Sequence, residues 1–326
     1  MPIPLPGGSP DSLFFLLIAL VVNALLGGFS LSFLRPVHPE ALLARLADGF
    51  DRRLNREKRS ERNRIIRGAL VVLLLTGLSV AAGFVLLRYA ATMPFGRYFE
   101  IALLAVLIPQ RQIFDEGKKL AKVLKAEPFD PAQASLSMRG FSGEVPRDAH
   151  ATARIAIERL AGRFGQDVVA PVFWFMLLGL PGVFLSRAAR LLGARIGRSD
   201  ARHEAFGFAA RRFDAALGFL PARLAGLLLT LAALFTPTAN PLAAGRAFAR
   251  EGKKHPDWSA GPAVAAAAGA LDLALLGPKP GRPAGQPWIG GGRARATFQD
   301  ARRALYLFTA AALLHFGLVA GLAYLA

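Results

Sequence analysis

The chain has 326 residues, of which 53% are hydrophobic, and a formal net charge of +18. Its apolar residues are concentrated in long blocks, which argues against an ordinary soluble domain. The absence of cysteine excludes disulfides, thiolate metal sites and a cysteine nucleophile. A large basic charge also occurs in nucleic-acid-binding proteins. Here, however, Arg and Lys lie mainly between the apolar blocks, and no nucleic-acid-binding motif is present. The pattern favours the basic cytoplasmic loops of a membrane protein with no nucleic-acid partner.

Three stretches without Asp, Glu, Lys or Arg predict membrane-spanning helices, because a helix of ~20 residues crosses a ~30 Å hydrocarbon core. They are residues 12–34, 68–87 and 304–326, which give spans at about 12–34, 68–88 and 304–325. The alternative is a soluble helical protein with buried core helices, but such helices usually carry a polar stripe. Residues 1–11 lack Lys and Arg, so we expect the first span to be retained and not to be a cleaved signal peptide.

The segments between these spans are basic and are predicted to be cytoplasmic. Residues 35–67 predict either a surface helix or a solvated, orienting loop. A third span is predicted at about 90–110, provided that its helix begins near Ala90. The polar segment 111–167 has four lysines at helical spacing and predicts a further helix from Arg147 through Glu158. The lysines are Lys118, Lys119, Lys122 and Lys125.

Two later apolar runs, at about 168–186 and 215–238, contain proline and glycine or arginine, and they predict broken, re-entrant or groove-forming elements. If neither crosses the membrane fully, the basic segments 187–214 and 239–303 lie on the same side as the others. The alanine-rich stretch 260–276 predicts an amphipathic or re-entrant helix, and 277–297 predicts a loop. The fold class is therefore all-α: one multi-pass domain, 1–326, in a bacterial inner membrane, with about four full spans.

Sequence motifs for nucleotide binding are missing, since there is neither a Walker sequence nor a G-x-G-x-x-G after a strand. The run from Gly290 to Arg293 could present N–H groups to an anion, but a flexible loop is the favoured interpretation. The histidines show no metal-ligand spacing, and His315 is expected to pack within the last span. Asp214 and Arg223 are charges in or beside an apolar run. Such charges usually face a protein interior or a wet cavity, although Arg223 could also snorkel.

Short segments rich in proline, glycine and aromatic residues are distributed along the chain. They include Glu158 with Leu160 and Ala161, Ala170 to Trp174, Pro221 to Leu224, His255 with Pro256, and Pro287 to Gly290. In this order they resemble the CobD/CbiB family of cobalamin-biosynthesis membrane proteins over nearly the whole chain. No single segment is specific, but the ordered set is.

The resemblance implies ATP-dependent amide formation, which joins aminopropanol or its phosphate to a propionate carboxyl of adenosylcobyric acid. It implies a corrinoid substrate, ATP and Mg²⁺ as cofactors, and the lipid bilayer and other nucleotide-loop assembly proteins as partners. Carboxylates would hold the metal or accept the amine proton, and basic groups would bind anions. The catalytic candidates are Glu158, Asp167 and Asp214. The substrate-binding candidates are Arg223, His255, Trp174 and Trp288; no metal ligand is assigned.

The chain also departs from the family pattern. The family stretch E-S-x-A-E-N-x-x-D-G corresponds to 158–167, where only the first Glu is kept in register. Gly162, Arg163 and Gln166 replace polar or acidic residues. These losses leave open a non-catalytic relative that acts as a membrane scaffold, a corrinoid-handling partner or an AmpE-like regulator. A transporter is the weakest alternative, because neither inverted repeats nor midplane polar residues are evident.

Overall fold

The structure is a computed structural model that describes residues 9–27, 39–56, 58–138, 145–198, 200–277 and 287–326. The described residues are almost entirely helical, which confirms the all-α class. The α-helices are α1 Pro10–Leu26, α2 Pro39–Leu54, α3 Glu61–Thr92, α4 Gly96–Leu107, α5 Gln110–Lys125, α6 Pro131–Ser137, α7 Ala149–Arg163, α8 Ala170–Leu178, α9 Leu180–Arg195, α10 Phe208–Ala232, α11 Pro241–Glu251, α12 Gly261–Leu271 and α13 Phe298–Leu325. The π-helical turn Phe164–Val169 joins α7 to α8, and 3-10 turns follow α10 and α11 at Ala233–Phe235 and Gly252–Lys254.

Three described helices are long and apolar enough to cross a membrane: Glu61–Thr92, Phe208–Phe235 and Phe298–Leu325. The first and last contain the apolar stretches that the sequence predicted as spans. Helix α1, with 17 residues, is a shorter apolar helix, and residues 28–34 of the predicted first span lie outside the described residues. These helices give the architecture of a polytopic membrane protein.

The predicted third span differs from the structure. Helix α3 continues to Thr92, the chain turns at 93–95, and α4 has only 12 residues. At 1.5 Å per residue α4 is about 18 Å long, which is shorter than a hydrocarbon core. The turn is tight because the backbone of Gly96 packs against Ala90, where an added Cβ would overlap the Ala90 carbonyl oxygen. The side-chain amide of Asn23 on α1 donates to the Ala105 carbonyl at 2.7 Å and ties α4 to α1.

The apolar run 168–186 is interrupted at Gly179, which separates α8 from α9. Gly179 has φ +66° and ψ −150°, a conformation that only glycine adopts without strain. Pro181 follows at the start of α9, and the close approach of Gly182 to the Trp174 backbone leaves no room for a side chain there. With nine residues, α8 is too short to cross a membrane alone.

The run 215–238 was expected to be broken, and this expectation is wrong. Helix α10 continues through Pro221 without interruption. Proline has no N–H to donate to the carbonyl four residues earlier, which here belongs to Leu217. The indole N–H of Trp174 donates to that carbonyl at 3.1 Å. The helix tolerates the proline because the orphaned acceptor is satisfied by another element.

The chain forms two compact units, and the single membrane domain over 1–326 stays a prediction. The first comprises Met1–Ile108, Ala170–Phe219 and Ala320–Ala326, and the second comprises Pro109–Val169 and Leu220–Val319. In the first unit, α2, α3, α9 and the start of α10 surround a core that includes Leu75, Leu192 and Phe206.

The second unit is built around α12, which lies against α11 and α7. Every residue of α12 except Pro262 is buried, so the amphipathic interpretation of 260–276 is wrong and α12 is a core helix. Close packing depends on small residues, since a Cβ on Gly269 would overlap the backbone of Ala243. The predicted loop 277–297 includes a strand, β2 Trp288–Ile289, that pairs antiparallel with β1 Leu275–Leu276. Residues 278–286 of that loop lie outside the described residues.

Candidate functional site

Helix α7 carries the one glutamate that the chain keeps from the family stretch. The Asp148 carboxylate accepts the backbone N–H groups of His150 and Ala151 and caps the helix N-terminus. Arg154 and Glu158 are four residues apart, so they lie on one face of the helix, and they are only 9% and 7% exposed. The described fold therefore places a guanidinium and a carboxylate one turn apart in the interior of the second unit.

The π-helical turn after α7 contains the second predicted carboxylate. π-Helical turns are rare and frequently occur at functional sites. Asp167, 8% exposed, accepts from Nε of Arg163 at 2.9 Å, while Nη1 of Arg163 lies 2.5 Å from Glu116 on α5. Arg163 thus bridges two carboxylates. It also borders an open cleft between α5, α6 and α7, which Glu116 and Arg159 line together with apolar side chains.

A polar network that the sequence did not predict joins the π-helical turn to the segment after α11. The Gln166 amide donates to the Asp257 carboxylate at 2.9 Å and to the Ser259 hydroxyl at 2.7 Å. Asp257 also accepts the backbone N–H and hydroxyl of Ser259. The ring Nδ1 of His255 lies 3.0 Å from the Asp257 amide nitrogen. Gln166 could have drawn attention because it replaces the family's Asp, but its partners lie about 90 residues away in the chain.

The indole ring of Trp288, on β2, lies against a positively charged side chain of α7. The Arg154 guanidinium lies 5.4 Å from the Trp288 ring centroid, within the range of a cation–π interaction. Gly277, at φ +65°, approaches the Trp288 indole so closely that an added Cβ would lie 2.5 Å from a ring carbon. The backbone of the hairpin therefore fixes the ring, which remains 38% exposed.

The first backbone donor of the glycine run after β2 binds a carboxylate of the same unit. The Gly290 N–H donates to Oε2 of Glu251 at 2.9 Å, and Lys254 pairs with the same oxygen at 2.9 Å. Burial raises the pKa of Glu251, but the hydrogen bonds from Gly290 and Lys254 and the charge of Lys254 outweigh it, so the pKa lies below its ordinary value. The Gly290 amide is therefore not available as an anion-binding donor.

The other two candidates lie in the first unit. Asp214 on α10 lies 3.2 Å from Nη1 of Arg190 on α9, and a Cβ on Gly193 would be 2.6 Å from its carboxylate. The indole N–H of Trp174 donates to Leu217, as described above. Five candidates therefore belong to the second unit, and Asp214 and Trp174 to the first. The five are Glu158, Asp167, Arg223, His255 and Trp288. Arg223 is half-buried on α10.

Metal binding finds little support in these side chains. No group of three or more His, Cys, Asp or Glu that could hold a metal occurs among the described residues. Asp167 and Asp214 each accept from an arginine, as do many structural carboxylates. The described residues therefore do not fit a protein-held Mg²⁺ ion.

These features define a helical membrane protein with a buried polar site of mixed charge in its second unit. The sequence model described as "CobD/Cbib protein" matches residues 16–308. A cobalamin biosynthesis protein CobD of Sinorhizobium sp. is 34% identical over 322 residues, covering 97% of this chain and 99% of its own. Proteins of the same name from Brucella melitensis biotype 1 and Rhodobacter capsulatus are 31% and 32% identical, covering 94% and 90% of this chain and 95% and 91% of their own. The chain belongs to the CobD/Cbib family of cobalamin-biosynthesis proteins. No solved structure matches it.

Proposed function

We propose that the protein catalyses an amide-forming step of cobalamin biosynthesis, joining aminopropanol or its phosphate to a propionate carboxyl of adenosylcobyric acid. Family membership along nearly the whole chain supports the pathway. The observation that carries the chemistry is the buried pair on α7, since Glu158 and Arg154 offer a proton acceptor and an oxyanion-binding cation one turn apart.

In the proposed reaction the amine nitrogen attacks the carboxyl carbon. A C–N bond forms, the bond from that carbon to its activated oxygen breaks, and the amine loses a proton. ATP, when bound, would supply the phosphoryl group that makes the carboxyl oxygen a leaving group. Glu158 accepts the amine proton as the C–N bond forms, and Arg154 holds an oxyanion of a substrate. A positioned base typically contributes about 10²–10⁴-fold to the rate.

The test uses the full-length protein purified in detergent, with adenosylcobyric acid, aminopropanol or its phosphate, ATP and Mg²⁺, and product measured by mass spectrometry. Glu158→Gln is expected to lower the rate at least a hundredfold. Glu127→Gln, at an exposed glutamate, is the matched control and is expected to be neutral. No product from this chain, while an active family member turns over in the same mixture, would overturn the enzymatic proposal.

That negative outcome would favour a non-catalytic relative. One observation in the structure supports this alternative. Arg163, which stands where the family stretch has Asn, bridges Glu116 and Asp167. An arginine that occupies two carboxylates reduces what those groups can offer to a metal or a substrate. A scaffold, a corrinoid-handling partner or an AmpE-like regulator would then bind a corrinoid or a partner protein without turnover.

We also propose a bacterial inner-membrane location with the basic segments in the cytoplasm. Helix α3 supports a full crossing, since 20 uncharged residues between Arg67 and Arg88 match about 30 Å of hydrocarbon. The many basic residues of segment 35–67, just before this helix, favour a cytoplasmic position for its N-terminal end. Exposed aromatic side chains, including Phe95 and Tyr98, cluster at its far end, as is typical of a membrane interface. The chain lacks cysteine. Tyr98→Cys and Arg59→Cys therefore each introduce a single thiol for maleimide labelling. A membrane-impermeant maleimide applied to spheroplasts is expected to label only the former, and the reverse result would invert the topology.

A further inference from the structure

We infer that Arg154 and the Trp288 ring form an oxyanion-binding site, one that binds a carboxylate or phosphate of a substrate. The inference deepens the function proposed above and rests on it for the identity of the ligand. Arg154 is only 9% exposed, yet no Asp or Glu of the described residues lies within ion-pair distance of it. A guanidinium that is removed from water without an anion is costly.

Two other arginines of this unit, in contrast, each have a carboxylate partner. Arg163 pairs with Glu116 and Asp167, and Arg303 lies 3.3 Å from the buried carboxylate of Asp300. Arg154 has instead a carbonyl and an aromatic face, since Nη1 donates to Ala294 at 2.7 Å and the guanidinium lies over the Trp288 ring, 5.4 Å from its centroid. Arg154 therefore differs from these two arginines in having no carboxylate partner among the described residues.

The unused edge of the guanidinium has the right shape for an oxyanion. Buried Nε makes no hydrogen bond, and Nη2 has no hydrogen-bond partner among the described residues. Nε and Nη2 together form the fork that binds carboxylate or phosphate in a bidentate manner. Because Nη1 is anchored on Ala294 and the ring supports one face of the plane, that fork is held in one orientation before a ligand arrives.

The surrounding backbone keeps the site rigid. His150, one turn before Arg154 on the same face, donates from Nδ1 to the Ala296 carbonyl at 2.8 Å, so the segment 294–296 is tied to α7 at two points. Gly277 and the β1–β2 pairing fix the indole from the other side. Trp288 keeps 38% of its surface exposed, so a ligand can reach the ring that lies beside the cation.

Two sources could supply the oxyanion: a propionate carboxylate of the corrinoid, or the phosphate of a phosphorylated amino alcohol. Binding of four probes to the full-length protein in detergent distinguishes them: adenosylcobyric acid, aminopropanol phosphate, aminopropanol and inorganic phosphate. The variants are Arg154→Gln and Arg154→Lys, with Arg147→Gln as the control, because Arg147 is an exposed arginine just before the same helix. Loss of a charge-assisted bidentate contact is expected to weaken binding about tenfold to a hundredfold.

A selective loss of corrinoid affinity in Arg154→Gln identifies the corrin carboxylate as the ligand, and a selective loss for aminopropanol phosphate identifies the phosphate. Arg147→Gln is expected to change neither by more than about twofold. Lysine is expected to restore little, because a point charge does not reproduce the fork. If Arg154→Gln does not fold, Arg154→Lys and Trp288→Leu carry the comparison.

Unchanged affinity for every anionic probe, with a lowered melting temperature, would overturn the inference and make Arg154 a staple for residues 294–296. The amide-forming function can be refuted while the oxyanion-binding site is confirmed. If the unaltered chain binds neither substrate, but phosphate raises its melting temperature and that of Arg147→Gln and not that of Arg154→Gln, the oxyanion site stands and the amide-forming function falls. If phosphate protects none of them, the site falls as well.

Discussion

The contact between Trp174 and the proline in α10 gives a quantitative prediction about this fold. The carbonyl of Leu217 would normally accept the N–H of residue 221, but that residue is proline. The Trp174 indole donates to it instead, at 3.1 Å. Trp174→Phe keeps an aromatic ring at this position and removes only the donor.

The expected cost follows from what the carbonyl loses. A made hydrogen bond contributes about 0.5–1.5 kcal/mol net, whereas an acceptor left without a partner costs about 1–3 kcal/mol. Leu217 lies in a helix apolar enough to cross a membrane, where water does not replace the lost donor. We therefore expect Trp174→Phe to lower the free energy of unfolding by about 2 kcal/mol.

Pro221→Ala supplies the internal control, because alanine at 221 restores the backbone N–H that Leu217 lacks. The pair forms a double-mutant cycle, in which the helix-propensity gain of removing proline cancels. Unfolding is followed by the helical circular-dichroism signal during titration with SDS in mixed micelles. We expect Trp174→Phe to cost about 1–2 kcal/mol less in the Pro221→Ala background. Trp258→Phe, at a 59% exposed tryptophan, should show no coupling.

Equal costs of Trp174→Phe in both backgrounds would refute this reasoning. They would mean that the ring contributes by packing alone and that α10 tolerates Pro221 for another reason. Coupling of the expected size would assign Trp174 a structural role and weaken its candidacy as a substrate-binding residue.

Three further predictions concern the second unit. Gly269→Ala is expected to destabilise the protein by about 1–3 kcal/mol, because its Cβ would overlap the Ala243 carbonyl; Gly321→Ala, with open space around it, should be neutral or slightly stabilising in the same SDS titration. The lowered pKa of Glu251 means that its ionised form stabilises the fold above pH 4.5, and that this contribution is lost as the pH falls through the folded-state pKa. The difference in melting temperature between the unaltered protein and Glu251→Gln should therefore shrink between pH 7 and pH 4; a difference that stays constant would contradict the assignment. Asp300→Asn should lower the free energy of unfolding in SDS titrations by about 3 kcal/mol. Asp300 is 1% exposed and accepts from Arg293 at 2.5 Å and from the Thr297 amide at 2.8 Å. A cost below about 1 kcal/mol would show that Asp300 and Arg293 behave as a surface ion pair.

The buried charges show where sequence reasoning reached its limit. Asp214 stood out because it is a charge next to an apolar run, which usually indicates an interior or a wet cavity. The structure gives it Arg190 as a partner from another helix. Arg154, in contrast, looked like an ordinary helix residue in a basic segment. Its surroundings are formed in part by β2 and residues 294–296, which lie more than a hundred residues away, and no acidic partner lies near it in the described part of the chain.

The sequence by itself determined the class of protein and the positions of two of the three long apolar helices, α3 and α13. Uncharged stretches of about 20 residues can satisfy their backbone in lipid only as helices, so composition and length suffice. It also indicated the family, because an ordered set of short segments survives local substitution. The break at Gly179 followed from local chemistry too, since φ +66° requires glycine.

Tertiary structure alone decided whether a proline breaks a helix and which charges are compensated. Pro221 removes a donor whatever its context, but the helix continues because Trp174 replaces that donor from a different element. The burial of α12 and the absence of an acidic partner for Arg154 among the described residues arise in the same way. Each depends on neighbours that are distant along the chain, and the free energy of a buried polar group is set by those neighbours and not by the residue itself.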